Sequence, residues 1–156
     1  MSKSLTRVKT DLERLGLALE VFRVSAPTHT AAQAAKVIGC EVNQIVKSIL
    51  FLGQDSGQLA LFLTPGGQRV DLDQARALAN EPLGKADAAI IRARTGFAIG
   101  GVSPFGHLIP PRPFMEPALL AFPRVWAAAG TPHHMFEISP QLLAEKTAAT
   151  LAPFGT

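Results

Sequence analysis

The sequence predicts an α+β fold: a single domain, with a mixed, mostly antiparallel sheet and surrounding helices. Three observations predict it. Strand and helix patterns are interspersed irregularly, with no repeated strand-helix unit. Two apolar runs, 45–52 and 58–63, flank Gly53-Gln54-Asp55-Ser56-Gly57, which reads as a hairpin loop. A chain of 156 residues, 47% hydrophobic and 17% charged, suits one packed core.

The elements follow in order. Leu5, Val8, Leu12 and Leu15 recur at helical spacing, and Gly16 stops the run, so a helix is expected over 4–15. Residues 17–24 alternate weakly and read as a strand, and Ser25-Ala26-Pro27-Thr28 as a turn. Thr30 with Gln33 forms a capping box for a second helix, running through Ile38 to Gly39. Residues 45–52 and 58–63 form the hairpin, and Pro65-Gly66-Gly67 turns the chain. Asp71 with Gln74 caps a helix to Ala79, and 87–94 reads as another helix, stopped by Gly96. Leu108-Ile109 and 113–115 read as short strands, and 117–121 as a helical turn. Strands are expected at 125–129 and 135–138, joined by Gly130-Thr131-Pro132. Ser139-Pro140, a cap followed by proline at the first helical position, opens a last helix to Thr150.

Composition bounds the function. No segment reads as a membrane-spanning helix, and the charged N-terminal stretch does not fit a signal peptide. A single cysteine, Cys40, excludes an internal disulfide and a cysteine-cluster metal site. A cytoplasmic protein is the simplest expectation. The net charge of +3 permits a polyanionic partner, but no lysine/arginine block or basic helix points to duplex DNA. Neither a phosphate-binding Gly-x-x-x-x-Gly-Lys-Ser/Thr loop nor a Gly-x-Ser-x-Gly elbow is present. No metal site or cofactor is expected.

The candidate chemistry lies in a few places. Gly100-Gly101-Val102-Ser103-Pro104-Phe105-Gly106 cannot form an ordinary helix or a central strand. It reads either as a tight connection or as a loop presenting main-chain N–H groups to a carbonyl oxygen or phosphate. Lys47 is the one charge in an apolar strand. It either snorkels to water at a wet end or meets an anionic ligand, because an unpaired buried ammonium is costly. His133-His134 reads as a surface turn or as a polar contributor to a pocket, and Glu116 alone as a helix-entry charge.

Five stretches in this order resemble the YbaK/EbsC family of aminoacyl-tRNA editing domains, which also occur inserted in or associated with prolyl-tRNA synthetases. They are 30–35 (TAAQAA), 44–51 (QIVKSILF), 65–72 (PGGQRVDL), 95–106 (TGFAIGGVSPFG) and 130–134 (GTPHH) running into Ser139-Pro140. The resemblance covers about Pro27 to Leu143 and implies a function: deacylation of mischarged tRNA, most often tRNA for proline carrying alanine, cysteine, serine or threonine.

By resemblance, the family's lysine falls on Lys47 and its Gly-x-x-x-Pro loop on Gly100, Gly101, Val102, Ser103 and Pro104. Its acid falls on Glu116, where aspartate is more usual. Its late histidine falls on His134, or on His133 if the turn is shifted by one. His29, Thr30, Ile49 and the Phe97/Phe105 region are expected pocket walls, and Arg69 is counted with the substrate-binding residues. Lys47 would hold the terminal phosphate or the carbonyl region, and N–H groups of 101–103 would meet the oxyanion. The expected partner is the acceptor end of an aminoacyl-tRNA, with prolyl-tRNA synthetase as a further one. The rival reading is a non-catalytic module of the same fold that binds nucleotides or tRNA ends.

Overall fold

The structure, a computed structural model, describes residues 2–26 and 28–156. Pro27, within the expected 25–28 turn and at the start of the family resemblance, lies outside the described residues.

Among the described residues, five α-helices and eight strands follow in the order α1 (Lys3–Arg14), β1 (Val21–Arg23), α2 (Ala31–Ile38), β2 (Val46–Gly53), β3 (Leu59–Pro65), α3 (Leu72–Ala79), β4 (Leu83–Lys85), α4 (Ala88–Thr95), β5 (Arg112–Met115), β6 (Val125–Ala128), β7 (His134–Ile138), α5 (Pro140–Thr147) and β8 (Thr150–Leu151). Two 3-10 turns sit at Val42–Gln44 and Pro117–Ala121. Among the described residues no helix is long and apolar enough to cross a membrane.

The caps form as the sequence predicts. Thr30 and Gln33 complete a reciprocal box at α2. Asp71 caps α3 and Ser139 caps α5 ahead of Pro140. Each satisfies backbone N–H groups that a helix start leaves without partners.

The strands divide into two sheets rather than one. β1-β7-β6 is antiparallel throughout, and β4-β2-β3-β5-β8 combines antiparallel pairs with the parallel pairs β3–β5 and β5–β8. A single parallel bridge, Ile45 to Trp126, joins them. β3 is central and buried along its whole length, with both faces in apolar surroundings. The main core gathers Val8 and Leu12 of α1, Val46 and Leu50 of β2, and Phe136 and Ile138 of β7. A second core stacks Phe62 on Phe114 at 4.8 Å, with Phe154 edge-on.

Several elements differ from the sequence reading. The expected strand at 17–24 shrinks to Val21–Arg23. Leu108-Ile109 is a loop, not a strand: its N–H groups bond back to the end of α4, and Pro110-Pro111 denies the pair further ladder donors. The last helix ends at Thr147 because Ala148 turns left-handed at φ 56°, and β8 follows. Short β4 and β8 went unread, being three and two residues long with no alternation to show.

Candidate functional site

β2 supplies the site through its edge. One edge pairs with β3 from Val46 to Leu52, whereas the other meets β4 only at Phe51–Gly53. At its start the same edge is bridged to β6 through Ile45. Between those two neighbours the strand faces a cavity of about 630 Å³. That volume lies within the range of small-molecule sites. The entry to α2, from Thr28 to Ala32, also lines it, as do Gly100, the exposed Ile99 and the buried Val102.

Lys47 enters this cavity with one clear internal partner, the Gln68 carbonyl, to which its ammonium donates. Burial, and then the nearby Arg69 guanidinium, push the Lys47 pKa below the ordinary lysine range. Among the described residues, the ion pairs are Arg14–Asp11, Arg76–Asp73, Arg112–Glu81 and Arg124–Glu137, so neither Lys47 nor Arg69 meets a carboxylate. Among the described residues no acidic side chain lines the cavity. Two cations without a carboxylate form a place for an anion.

The glycine loop closes the cavity from the other side. Gly100 has φ +92°, and a Cβ there would come within 3.2 Å of His29 Nδ1. Gly101 lies against the next turn: an added Cβ would meet Thr131 Cα at 3.0 Å and the Gly130 carbonyl at 3.1 Å. Its N–H donates to the Ala98 carbonyl at 3.0 Å, closing a turn. Gly101 is therefore not a donor to a ligand, contrary to the expectation that 101–103 all are. The Ser103 hydroxyl accepts the Phe105 N–H at 3.1 Å and is fully buried, so it is committed to the loop. Among the described residues no hydrogen bond uses the N–H of Val102 or Ser103. Unpaired buried amides are uncommon, and a ligand oxygen is one way to satisfy them.

Of the residues singled out in the sequence, His29, Thr30, Lys47, Ile49, Gly100 and Val102 line the one cavity. Gly101 and Ser103 stand behind them, buried in the loop. Pro104 and Phe105 face a smaller cavity of about 220 Å³ at the back. Phe97 is fully buried against His107 and Arg7, so it is not a wall. Arg69 is exposed and reaches the site through its charge on Lys47.

Glu116 is spent on structure. Its carboxylate accepts the N–H of Ala118 at 2.6 Å, of Phe154 at 3.2 Å and of Gly155 at 3.1 Å. It caps the 3-10 turn and ties down the C-terminal segment, and it does not line the cavity. His133 and His134 do not line the cavity either. His134 Nδ1 shares a hydrogen bond with Thr131 Oγ1 at 2.7 Å, and burial, then Arg23 and Lys9, lower its pKa.

Sequence reasoning missed Thr28, Ala31 and Ile99 as wall residues. Thr28 gave no signal, because its buried hydroxyl is defined only by the Pro132 carbonyl 2.8 Å away, across the fold. Ile99, 64% exposed inside the glycine stretch, is an apolar residue that no core explains, and that could have been noticed.

Known proteins resemble this chain along its length. A solved structure described as "Crystal structure of a putative trans-editing enzyme for prolyl tRNA synthetase" superposes with a TM-score of 0.93 at 43% identity, covering 100% of this chain and 99% of that one. The Enterococcus faecalis (strain ATCC 700802 / V583) protein named "Putative Cys-tRNA(Pro)/Cys-tRNA(Cys) deacylase EbsC" is 24% identical over 163 residues, which is 100% of this chain and 99% of that protein. YwhH of Bacillus subtilis (strain 168) is 28% identical over 142 residues, 91% of this chain and 90% of its own length. The model of the aminoacyl-tRNA editing domain matches residues 25–146, a span that holds both Lys47 and the glycine loop. With that span matched and the fold shared along its full length, this chain belongs to the aminoacyl-tRNA editing domain family.

Proposed function

We propose that this chain, as one editing unit, is a trans-acting aminoacyl-tRNA deacylase that hydrolyses the ester of mischarged tRNA for proline, carrying alanine, cysteine, serine or threonine. Editing by deacylation accords with the family and with the printed names of its relatives. The observation that carries the reading is the cavity itself. Lys47 lines it without a carboxylate, and Val102 lines it from the glycine loop, whose Val102 and Ser103 N–H groups have no partner among the described residues.

The chemistry follows from the bond to be broken. An aminoacyl ester is already activated, so its hydrolysis needs a positioned water and a place for the oxyanion. The two amides supply that place, each good donor lowering the barrier by about 3 kcal/mol. Lys47, with Arg69 nearby, holds the terminal phosphate or the carbonyl region of the acceptor end as a point charge. The terminal ribose 2′-hydroxyl activates the attacking water, in keeping with a cavity that has no acidic lining residue and a Ser103 hydroxyl committed to its own loop. Water adds to the ester carbonyl, the tetrahedral intermediate collapses, and the ribose 3′-oxygen leaves with a proton.

The test is deacylation of tRNA for proline charged in turn with alanine, cysteine, serine and threonine, together with a substrate whose terminal 2′-hydroxyl is hydrogen. The reading expects rapid release of at least one amino acid and none from the 2′-deoxy substrate. No release from any charged tRNA favours the binding-module reading. Full activity on the 2′-deoxy substrate removes the hydroxyl from the mechanism.

A further inference from the structure

Helix α1 lies outside the stretch matched by the family model, which begins at residue 25. It nevertheless makes several side-chain hydrogen bonds to the ends of the glycine loop and to the turn beside it. Arg7 Nη2 donates to the Gly96 carbonyl at 2.7 Å and Arg7 Nε to the Gly106 carbonyl at 3.2 Å. One guanidinium therefore joins the two ends of the loop, and its Cζ lies over the Phe97 ring, 5.2 Å from the centroid. One helical turn further on, Asp11 Oδ2 accepts the Gly106 N–H at 2.9 Å. Ser4, at the start of α1, donates to the Gly130 carbonyl at 2.8 Å, and Gly130 belongs to the turn against which Gly101 packs. Behind the loop, His107 Nε2 lies 2.6 Å from the Ser103 carbonyl.

These bonds form a pattern. The carbonyls of Gly96, Ser103 and Gly106 and the N–H of Gly106 are held from the back, while the N–H groups of Val102 and Ser103 stay unpaired among the described residues. Oxyanion donors act only when held close to the productive geometry, and a displacement of about 1 Å costs on the order of 100-fold in rate. Tying the ends of a loop also removes much of the conformational freedom its middle would have.

We infer that α1 is a positioning element of the site, with Arg7 and Asp11 as the positioning residues that fix the loop carrying the Val102 and Ser103 amides. Neither touches the cavity, and both act through the loop. The inference rests on the editing reading for its effect on rate, but not for its effect on the loop.

The experiment uses the full chain as wild type, Arg7→Ala, Arg7→Lys and Asp11→Ala. Amide hydrogen exchange is followed over 97–105 with β3 as the internal reference. Single-turnover deacylation is measured at rising enzyme concentration. In Arg7→Ala, exchange over 97–105 should quicken about tenfold with β3 unchanged, and the maximal rate should fall about tenfold at a half-saturation within about twofold of wild type. Arg7→Lys should recover stability but little of the rate, because one ammonium cannot reproduce a fork spanning two carbonyls. If Arg7→Ala does not fold, Asp11→Ala must show the same two effects. Unchanged exchange over 97–105 in the folded variants, or a loss confined to half-saturation, overturns the inference. If wild type deacylates nothing, the editing reading fails, and the exchange result alone decides whether α1 holds the loop.

Discussion

The glycine loop has two sides, and they are built on opposite principles. On the front, toward the 630 Å³ cavity, lie Lys47 without a carboxylate and Val102, whose N–H, like that of Ser103 behind it, has no acceptor among the described residues. On the back, toward the 220 Å³ cavity, Asp11 pairs with Arg14 and with the Gly106 N–H, and His107 is bonded to Ser103. Apart from His107 Nδ1, which is buried without a partner among the described residues, these groups on the back bond within the protein, whereas the front leaves Lys47 without a carboxylate. Glu116 and Lys47 show the same contrast between single residues. Each is an isolated charge in its stretch of sequence, yet Glu116 holds three backbone N–H groups while Lys47 meets only a carbonyl. Polar groups left unspent in a folded protein are the ones to examine for function.

The largest effect that could break this contrast is at Lys47. Lys47→Ala should lower kcat/KM for the best mischarged tRNA by about 100-fold or more, equivalent to about 3 kcal/mol, with Tm nearly unchanged. A variant that stays within threefold of wild type would place the chemistry elsewhere. Next comes Gly101→Ala. The added methyl meets backbone at 3.0–3.1 Å from Thr131 and Gly130, so the loop must move. A loss of about tenfold in maximal rate is expected in rapid-quench assays. Activity equal to wild type would show that the loop's position is not critical.

Glu116→Gln should act in the opposite manner. Replacing the carboxylate weakens three hydrogen bonds and costs about 2 kcal/mol, or about 4–8 °C in Tm. Activity of the folded protein should stay within about twofold in the same assay. A normal Tm with lost activity would return Glu116 to the substrate.

The smallest effect is the pH dependence of stability. Burial lowers the pKa of both His107 and His134, so the unfolded chain takes up protons first as pH falls. Stability is full above the ordinary histidine value of about 6.5 and declines as pH drops below it. His107→Gln, which keeps an N–H donor toward Ser103, should flatten that decline in thermal melts at pH 7 and 5. An unchanged slope would remove His107 from the account.

Much of the fold was legible because its signals are local. Thr30 with Gln33, Asp71, and Ser139-Pro140 are caps whose partners lie within three residues, and all of them form. β4 and β8 were not legible because three or two residues carry no period, and their pairing is set by distant strands. Ala148 and Asn80 end their helices in left-handed conformations without a glycine to announce them. At the site, Lys47 and the loop were visible as a lone charge and a glycine cluster. Which amides of that loop remain free was not, because the Gly101 N–H is claimed by Ala98 and the carbonyls by α1 and His107. The role of Glu116 was hidden for the same reason, since two of its three partners lie about forty residues away, at Phe154 and Gly155.

The central claim is that the front of the loop and Lys47 receive the aminoacyl end of tRNA. The most direct test is a titration with an aminoacyl adenosine whose ester is replaced by an uncleavable amide, read by backbone and lysine NMR shifts. The account predicts shifts at Val102, Ser103, Ala31 and the Lys47 ammonium, with Gly106 and His107 at the back unmoved. Saturable binding that shifts the back of the loop, or leaves Lys47 and both amides unmoved, would contradict it.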